Sequence, residues 1–178
     1  MASLRRSTVK AHLKRLDHAS TSNAKGKAWE RFVAYLFTTI PGIKISATNP
    51  VHVLNWYELD VALWNDQLAN GLKSLPEIIF IEAKNLKGPV GVTAVRAFDS
   101  KLDQQGLKFG ILLASRGVTG DPSKRTAAHG VIAGAQTKGR RIIVITRADI
   151  ERLGSARQLV KLIKQKICEL VVTGVAIY

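Results

Sequence analysis

The chain has 178 residues, of which 46% are hydrophobic and 22% are charged, so its composition is that of a globular domain and excludes a disordered chain. Its 27 Lys and Arg residues outnumber 13 Asp and Glu residues, and the resulting formal net charge of +14 favours a polyanionic partner such as nucleic acid. The single cysteine, Cys168, excludes an internal disulfide and is expected in the core. No apolar run is long enough to span a bilayer, so we expect no membrane association.

Residues 1–24 predict a basic N-terminal arm or helix. Leu4, Val9, Leu13 and Leu16 recur at helical spacing, and Asp17 is the one acid among many cations. The segment either lies on phosphate or forms a solvated terminus. Its composition also fits an organellar transit peptide, an alternative that we rank below a DNA-contacting arm. The cations expected to contact nucleic acid here are Arg5, Arg6, Lys10, Lys14 and Arg15.

A helix is predicted over residues 25–38, because apolar residues recur there every three or four positions. The segment Ser20–Asn23 precedes it and can cap its first turn. Glu30 lies off the centre of the apolar stripe, where it either pairs with Lys27 or Arg31 or has a functional role. The stripe consists of Trp29, Phe32, Val33, Leu36 and Phe37.

Three strand-like segments follow, at residues 43–48, 56–64 and 77–85, and a polar connection at residues 65–76 separates the last two. The third segment is an apolar run that ends in Glu82 and Lys84, which share one face because they are two residues apart. Burying both charges is unfavourable by several kcal/mol per ion unless partners or a metal compensate. A partner is available in the second segment, where Glu58 and Asp60 share one face.

If the second and third segments pair, Asp60 and Glu82 converge and their carboxylates repel each other. A divalent cation relieves that repulsion. Mg²⁺ binds a few carboxylate oxygens and leaves its other positions to water and phosphate, which suits Asp60, Glu82 and the backbone carbonyl of Ala83. Lys84 would then lie beside the metal-bound water and the phosphate.

After the third strand, residues 85–91 form a loop in which Lys87 is expected to contact phosphate. A helix is predicted from Val92 to Gln105 with Val95, Phe98 and Leu102 inward. This helix holds a second acid-x-lysine sequence, Asp99-Ser-Lys101. Because no apolar strand leads into that sequence, we interpret it as a solvated helix face.

Residues 109–115 and 140–146 predict two further buried strands that alternate with helices, so parallel pairing is expected there and a meander before it. The loop at residues 116–125 lacks the spacing of a phosphate-binding loop; we expect Asp121 or Ser123 near the following helix cap, and Lys124 and Arg125 as DNA contacts. His129, in a predicted helix at residues 127–135, is interpreted as packed or solvated rather than catalytic. Residues 148–170 predict amphipathic helices, and residues 171–178 a last strand. The lysines expected to face outward are Lys161, Lys164 and Lys166.

The arrangement of Asp60, of Glu82-Ala83-Lys84 and of a preceding helix with Glu30 resembles the PD-(D/E)xK nuclease superfamily. Over about residues 25–153 the order of elements is similar to the Mrr-like restriction-endonuclease catalytic domain. The chain departs from the first signature, since Glu58-Leu59-Asp60 replaces Pro-Asp. The resemblance implies a restriction-endonuclease-like three-layer α/β/α fold with a central mixed sheet of about five strands, and a single catalytic domain over residues 25–178.

The resemblance implies a Mg²⁺-dependent endodeoxyribonuclease of restriction or defence type, in which Mn²⁺ can substitute. Alternatives are a structure-selective nuclease like the Holliday junction resolvases, and a catalytically inactive nucleic-acid-binding protein. The expected partners are DNA, a second copy of the chain (because one site cuts one strand) and a recognition or regulatory subunit. The expected location is cytoplasmic, of prokaryotic type, on DNA. The implied catalytic residues are Glu30, Asp60, Glu82 and Lys84, with Asp60, Glu82 and Ala83 holding the metal.

Overall fold

A computed structural model describes residues 3–48, 60–84 and 88–175. Within these residues five strands form one sheet whose spatial order equals their order in the chain. Such an order arises when each strand lies beside the strand that precedes it in the chain. The strands are β1 (Ile43–Thr48), β2 (Val61–Asn65), β3 (Ile78–Lys84), β4 (Phe109–Ala114) and β5 (Arg141–Ile145).

The sheet is mixed, as the sequence predicts. β1, β2 and β3 pair antiparallel, whereas β3, β4 and β5 pair parallel because helical crossovers join them. β2 begins directly after Asp60. Residues 49–59, which include Glu58 and the predicted first half of this strand, lie outside the described part of the chain.

Helices lie on both sides of the sheet. The second of them begins where the sequence predicts a cap, since the Thr21 side chain accepts a hydrogen bond from the backbone N–H of Ala24. Its predicted apolar stripe is buried. The helices are α1 (Arg6–His18), α2 (Ser22–Thr38), α3 (Val92–Gln104), α4 (Ala127–Thr137), α5 (Arg147–Glu151) and α6 (Ala156–Thr173).

The crossover helices α3 and α4 pack against each other, and every residue of β4 is buried. Gly110 of β4 lies directly under α3. A Cβ atom at this position would lie 2.7 Å from Cζ of Phe98 and 2.9 Å from Cδ1 of Leu102, so only glycine lets α3 approach the sheet this closely. The three residues predicted to face inward from α3 are fully buried.

The connection between β2 and β3 is ordered by a buried amide. The Asn65 side chain, 1% exposed, donates to the carbonyls of Leu72, Leu75 and Pro76 at 2.9, 3.2 and 3.0 Å. One side chain therefore satisfies three carbonyls in a segment that lacks regular structure. The loop predicted from composition is thus held against the end of the sheet.

α1 contributes one face to the core and leaves the other charged. Its apolar side chains are buried, and the ring of His12 stacks on Phe32 and Tyr35 with centroids 5.5 and 5.0 Å apart. Arg147 of α5 donates to both carboxylate oxygens of Asp17 at 2.6 and 2.8 Å. The basic N-terminal segment is therefore a helix fixed to its neighbours, with its five predicted contact cations exposed.

Three predictions about the C-terminal region are wrong. Lys166 is 6% exposed instead of outward, because it takes a position in the buried stripe of α6 and pairs with Asp149 at 3.1 Å. Cys168, expected in the core, is exposed. The predicted last strand is a continuation of α6 up to Thr173, after which Gly174 ends the helix with φ of 72°. Residues 176–178 lie outside the described residues.

Other expectations for the second half hold. Lys161 and Lys164 are exposed, and His129 is packed at 1% exposure. Asp121 lies near the cap of α4, as expected, because its backbone N–H donates to the hydroxyl of Thr126, the N-cap residue, at 2.9 Å. The Asp121 carboxylate accepts hydrogen bonds from the backbone and hydroxyl of Ser123. In the described part of the chain, no helix is both long and apolar enough to cross a membrane.

Candidate active site

A cavity of about 390 Å³ opens where α2, the start of β2, the end of β3 and α3 meet. It brings together every catalytic residue predicted from the sequence, together with one lysine from α3 that was not predicted. Its charged residues and Ala83 come from four different parts of the chain, so the tertiary fold assembles the site. They are Glu30, Asp60, Glu82, Ala83, Lys84 and Lys101.

The pairing of β2 with β3 places Asp60 opposite Glu82. Val61 pairs with Ile81 in this antiparallel register. Asp60, one residue before Val61, therefore faces Glu82, one residue after Ile81. Oδ2 of Asp60 accepts a hydrogen bond from the backbone N–H of Ala83 at 2.5 Å. Burial, and then the nearby charge of Glu82, raises the pKa of Asp60 above its ordinary value. A bound cation would relieve both effects.

Glu82 is a buried carboxylate with two ammonium partners. Its side chain is 6% exposed; Oε1 lies 2.7 Å from Nζ of Lys84 and Oε2 lies 2.7 Å from Nζ of Lys101. Such a buried charge persists only when it is paired. Lys84 reaches Oε1 from the same face of β3, as the two-residue spacing predicts.

Lys101 corrects the interpretation of Asp99-Ser-Lys101 as a solvated helix face. Its side chain is 13% exposed and points into the site, and Asp99 is 16% exposed and binds Arg140. The sequence signal for this placement is weak. Lys101 lies between the inward residues Phe98 and Leu102 of α3, but its partner became apparent only once the sheet placed Glu82 beneath that helix.

The predicted nucleic-acid contacts lie elsewhere on the surface. Lys124 and Arg125 are exposed in the loop before α4, where Arg125 donates to the carbonyl of Thr173 at 3.1 Å. Lys87 falls outside the described residues. The exposed cations of α1 and those before α4 do not line the cavity.

The donors at the cavity fit a magnesium ion that keeps water and phosphate ligands. Within the described residues, no group of three or more His, Cys, Asp or Glu side chains is arranged as a metal cage. Two carboxylates and a carbonyl are nevertheless the donor set with which Mg²⁺ commonly binds substrate phosphates. Because both oxygens of Glu82 hold ammoniums, a cation that binds this carboxylate would compete with at least one of them.

A mixed five-stranded sheet with helices on both sides, an acid before β2 and Glu-x-Lys on β3 define a restriction-endonuclease-like α/β protein. A family model described as a restriction endonuclease, that of the Mrr catalytic domain, matches residues 21–153. The chain belongs to this family and thereby to the PD-(D/E)xK nuclease superfamily, as the sequence resemblance predicts. The family supports a nuclease of restriction-endonuclease type. Among curated proteins, no relative matches this sequence.

Proposed function

We propose that the protein is a metal-dependent endonuclease that hydrolyses phosphodiester bonds in DNA, with Mg²⁺ as its cofactor and Mn²⁺ as a substitute. The observation that carries this proposal is the convergence of Asp60, Glu82 and Lys84 on one cavity. The raised pKa of Asp60, caused by burial and then by Glu82, supports it further, because the carboxylate form is disfavoured there and a cation beside it would favour that form.

In this proposal Asp60, Glu82 and the carbonyl of Ala83 hold the metal. When bound, Mg²⁺ supplies a Lewis acid that polarises a phosphoryl oxygen and lowers the pKa of a bound water. Lys84 gives up Oε1 of Glu82 and turns its ammonium toward the water or the phosphate, where it stabilises developing negative charge. Glu30 orients water from the α2 side of the cavity.

DNA would be held by exposed cations that lie outside the cavity. Arg6, Lys10 and Lys14 are spaced four residues apart on α1, so they form one row along a helix face. Each phosphate that they neutralise releases counterions and adds affinity independent of sequence. Arg5, Arg15, Lys87, Lys124 and Arg125 would extend this contact, and cutting both strands would require a second copy of the chain.

A nicking assay on supercoiled plasmid, run with Mg²⁺, Mn²⁺ or EDTA, tests the proposal. We expect cleavage with either metal, none with EDTA and none with Asp60→Ala. Lys84→Ala should abolish cleavage and keep DNA binding, whereas Lys161→Ala, which removes an exposed lysine of α6, should behave as the parent. A Lys84→Ala protein that cuts at the parent rate would remove Lys84 from the mechanism.

A second candidate is a nucleic-acid-binding protein without catalysis. The observation that favours it is the pairing of both Glu82 oxygens with lysines, which balances the buried carboxylate without a metal. Binding that is unaffected by EDTA, with no nicking in any metal, would support this candidate. If nicking occurs, symmetrical incision of a four-way junction would identify a resolvase-type enzyme, and cleavage of linear duplex a restriction-type one.

A further inference from the structure

We infer that Lys101 is a positioning residue of the active site, which holds Oε2 of Glu82 from α3 and so leaves Oε1 as the oxygen that a metal takes. The inference rests on the proposed function, since it assigns a role within the same metal site. Lys101 touches neither the metal nor the substrate in this assignment. It acts through the carboxylate that it fixes.

The two lysines that bind Glu82 are not equivalent. Lys101 is 13% exposed and Lys84 is 34% exposed, although each ammonium lies 2.7 Å from its own carboxylate oxygen. Lys101 extends from α3 between two fully buried side chains, Phe98 and Leu102. Both lysines line the cavity, but the Lys101 stem is largely buried and has little room to move, whereas Lys84, at the end of β3, has about a third of its side chain exposed.

This difference decides which ammonium yields to a metal. A divalent cation that binds Glu82 would compete with one of its two lysines, because a metal ion and an ammonium on the same oxygen repel each other, and a displaced ammonium needs a new partner. Lys84 can turn within the cavity toward a phosphate, whereas Lys101 would leave its charge buried and unpaired. The less costly exchange therefore moves Lys84 and keeps Lys101 on Oε2.

The charges of the cavity support a permanent role for Lys101. Among the described residues that line the cavity, three acids (Glu30, Asp60 and Glu82) and two lysines sum to a net charge of minus one. A divalent cation and one phosphodiester anion bring that total to zero. Without Lys101 the loaded site would retain a negative charge, and Glu82 would turn fully onto Lys84, which then competes more strongly with the metal.

Binding of Mn²⁺, measured by calorimetry without DNA, tests this role separately from activity. Lys101→Met should bind Mn²⁺ about tenfold more weakly than the parent, an effect typical of removing a group that orients a metal ligand. Lys101→Arg, which keeps the charge and the donor, should restore most of the affinity. Lys161→Met is the matched control on an exposed face of α6. Unchanged or tighter binding by a folded Lys101→Met protein would overturn the inference.

A labelling experiment can be done on the unsubstituted protein, so its result does not depend on whether a variant folds. Reductive methylation followed by mass spectrometry should label Lys84 faster when Mg²⁺ is added, while Lys101 stays protected. Faster labelling of Lys101 on metal addition would overturn its role as the fixed partner. If the parent binds no Mn²⁺, the proposed function itself fails. If the parent binds Mn²⁺ and cuts DNA but Lys101→Met does both equally well, only the role of Lys101 fails.

Discussion

Helix α3 contributes residues to two charged clusters, and these clusters differ in their surroundings. Lys101 of α3 binds Glu82 beside a cavity, whereas Asp99, two residues earlier, binds Arg140 at the start of β5. Arg140 donates to Asp99 at 2.6 and 3.1 Å and to Asp103 at 2.5 Å. In the second cluster one guanidinium uses all of its nitrogen atoms on two acids. In the first, a carboxylate shared by two ammoniums faces an open volume.

The difference separates a cluster that stabilises the fold from one that is able to bind a ligand. The hydrogen bond with Asp99 raises the pKa of Arg140, so folding favours its charged form. Burial, followed by the charge of Glu82, raises the pKa of Asp60, so folding disfavours its charged form. Arg140 therefore contributes stability, whereas the buried carboxylate of Asp60 reduces it.

Substituting Asp60 with Asn should produce the largest change in activity. It should disturb the cluster around Glu82 and leave the cluster around Arg140 unchanged. Plasmid nicking should fall by about 10³-fold or more, because a metal ligand is lost. The melting temperature of the metal-free protein should rise, because Asn removes the unfavourable buried charge and keeps an oxygen for the N–H of Ala83. A fall in melting temperature would contradict the view that Asp60 is destabilising.

Substituting Arg140 with Met should have the opposite profile. It leaves Asp99, 16% exposed, without its partner, so the free energy of unfolding should fall by about 2–4 kcal/mol in urea denaturation. Cleavage per folded molecule should stay within about threefold of the parent. Asp103→Asn is the control: that side chain is 66% exposed, and its loss should change stability by about 1 kcal/mol or less. A large loss of cleavage in folded Arg140→Met would mean that the clusters are coupled.

Lys10→Gln extends the comparison to charges that face water. Because Lys10 is exposed, stability should change little, but DNA affinity should fall a few-fold at low salt. The slope of log affinity against log salt concentration should decrease by about one, as expected for one lost phosphate contact. An unchanged slope in fluorescence anisotropy titrations would place DNA away from this face of α1.

The smallest expected effect is on the stability of the protein at acidic pH, and it comes from His12, which belongs to neither cluster. Burial, and then the charge of Arg15, lowers the pKa of His12 in the folded protein. In the unfolded chain the pKa of this imidazole is about 6.5, so His12 takes up its proton at a lower pH in the folded state. The unfolded state then binds more protons below that pH, and stability falls as pH drops from about 7 to 5. His12→Phe keeps the ring contacts and should reduce this fall, measured as melting temperature at both pH values. An identical pH slope would exclude His12 as a source.

The sequence predicts most of the fold because the strands and helices differ clearly in their apolar spacing. β1 and the buried stripe of α2 occur where the pattern places them, and the change from antiparallel to parallel pairing follows from the helices after residue 85. Asp60 and Glu82 were predictable as a pair because a strand fixes the direction of alternate side chains. Those signals are local and periodic.

Lys101 and Lys166 show what such signals miss. Each is a charged residue on an amphipathic helix, and polar residues at such positions usually face water. Both are inward because an acid from a distant element, Glu82 or Asp149, lies opposite. Cys168 shows the converse, since an apolar residue type falls on the exposed side of α6. Only the three-dimensional packing supplies these partners.

Gly110 has a consequence for the electrostatics of the site although it contacts neither acid. Its missing side chain lets Phe98 and Leu102 settle against β4, and these residues flank the lysine whose ammonium meets Glu82. One added methyl group would lift α3 and shorten the reach of that ammonium. The charge balance around the Glu82 carboxylate is thus adjusted from near the start of the neighbouring strand, by a residue that carries no charge.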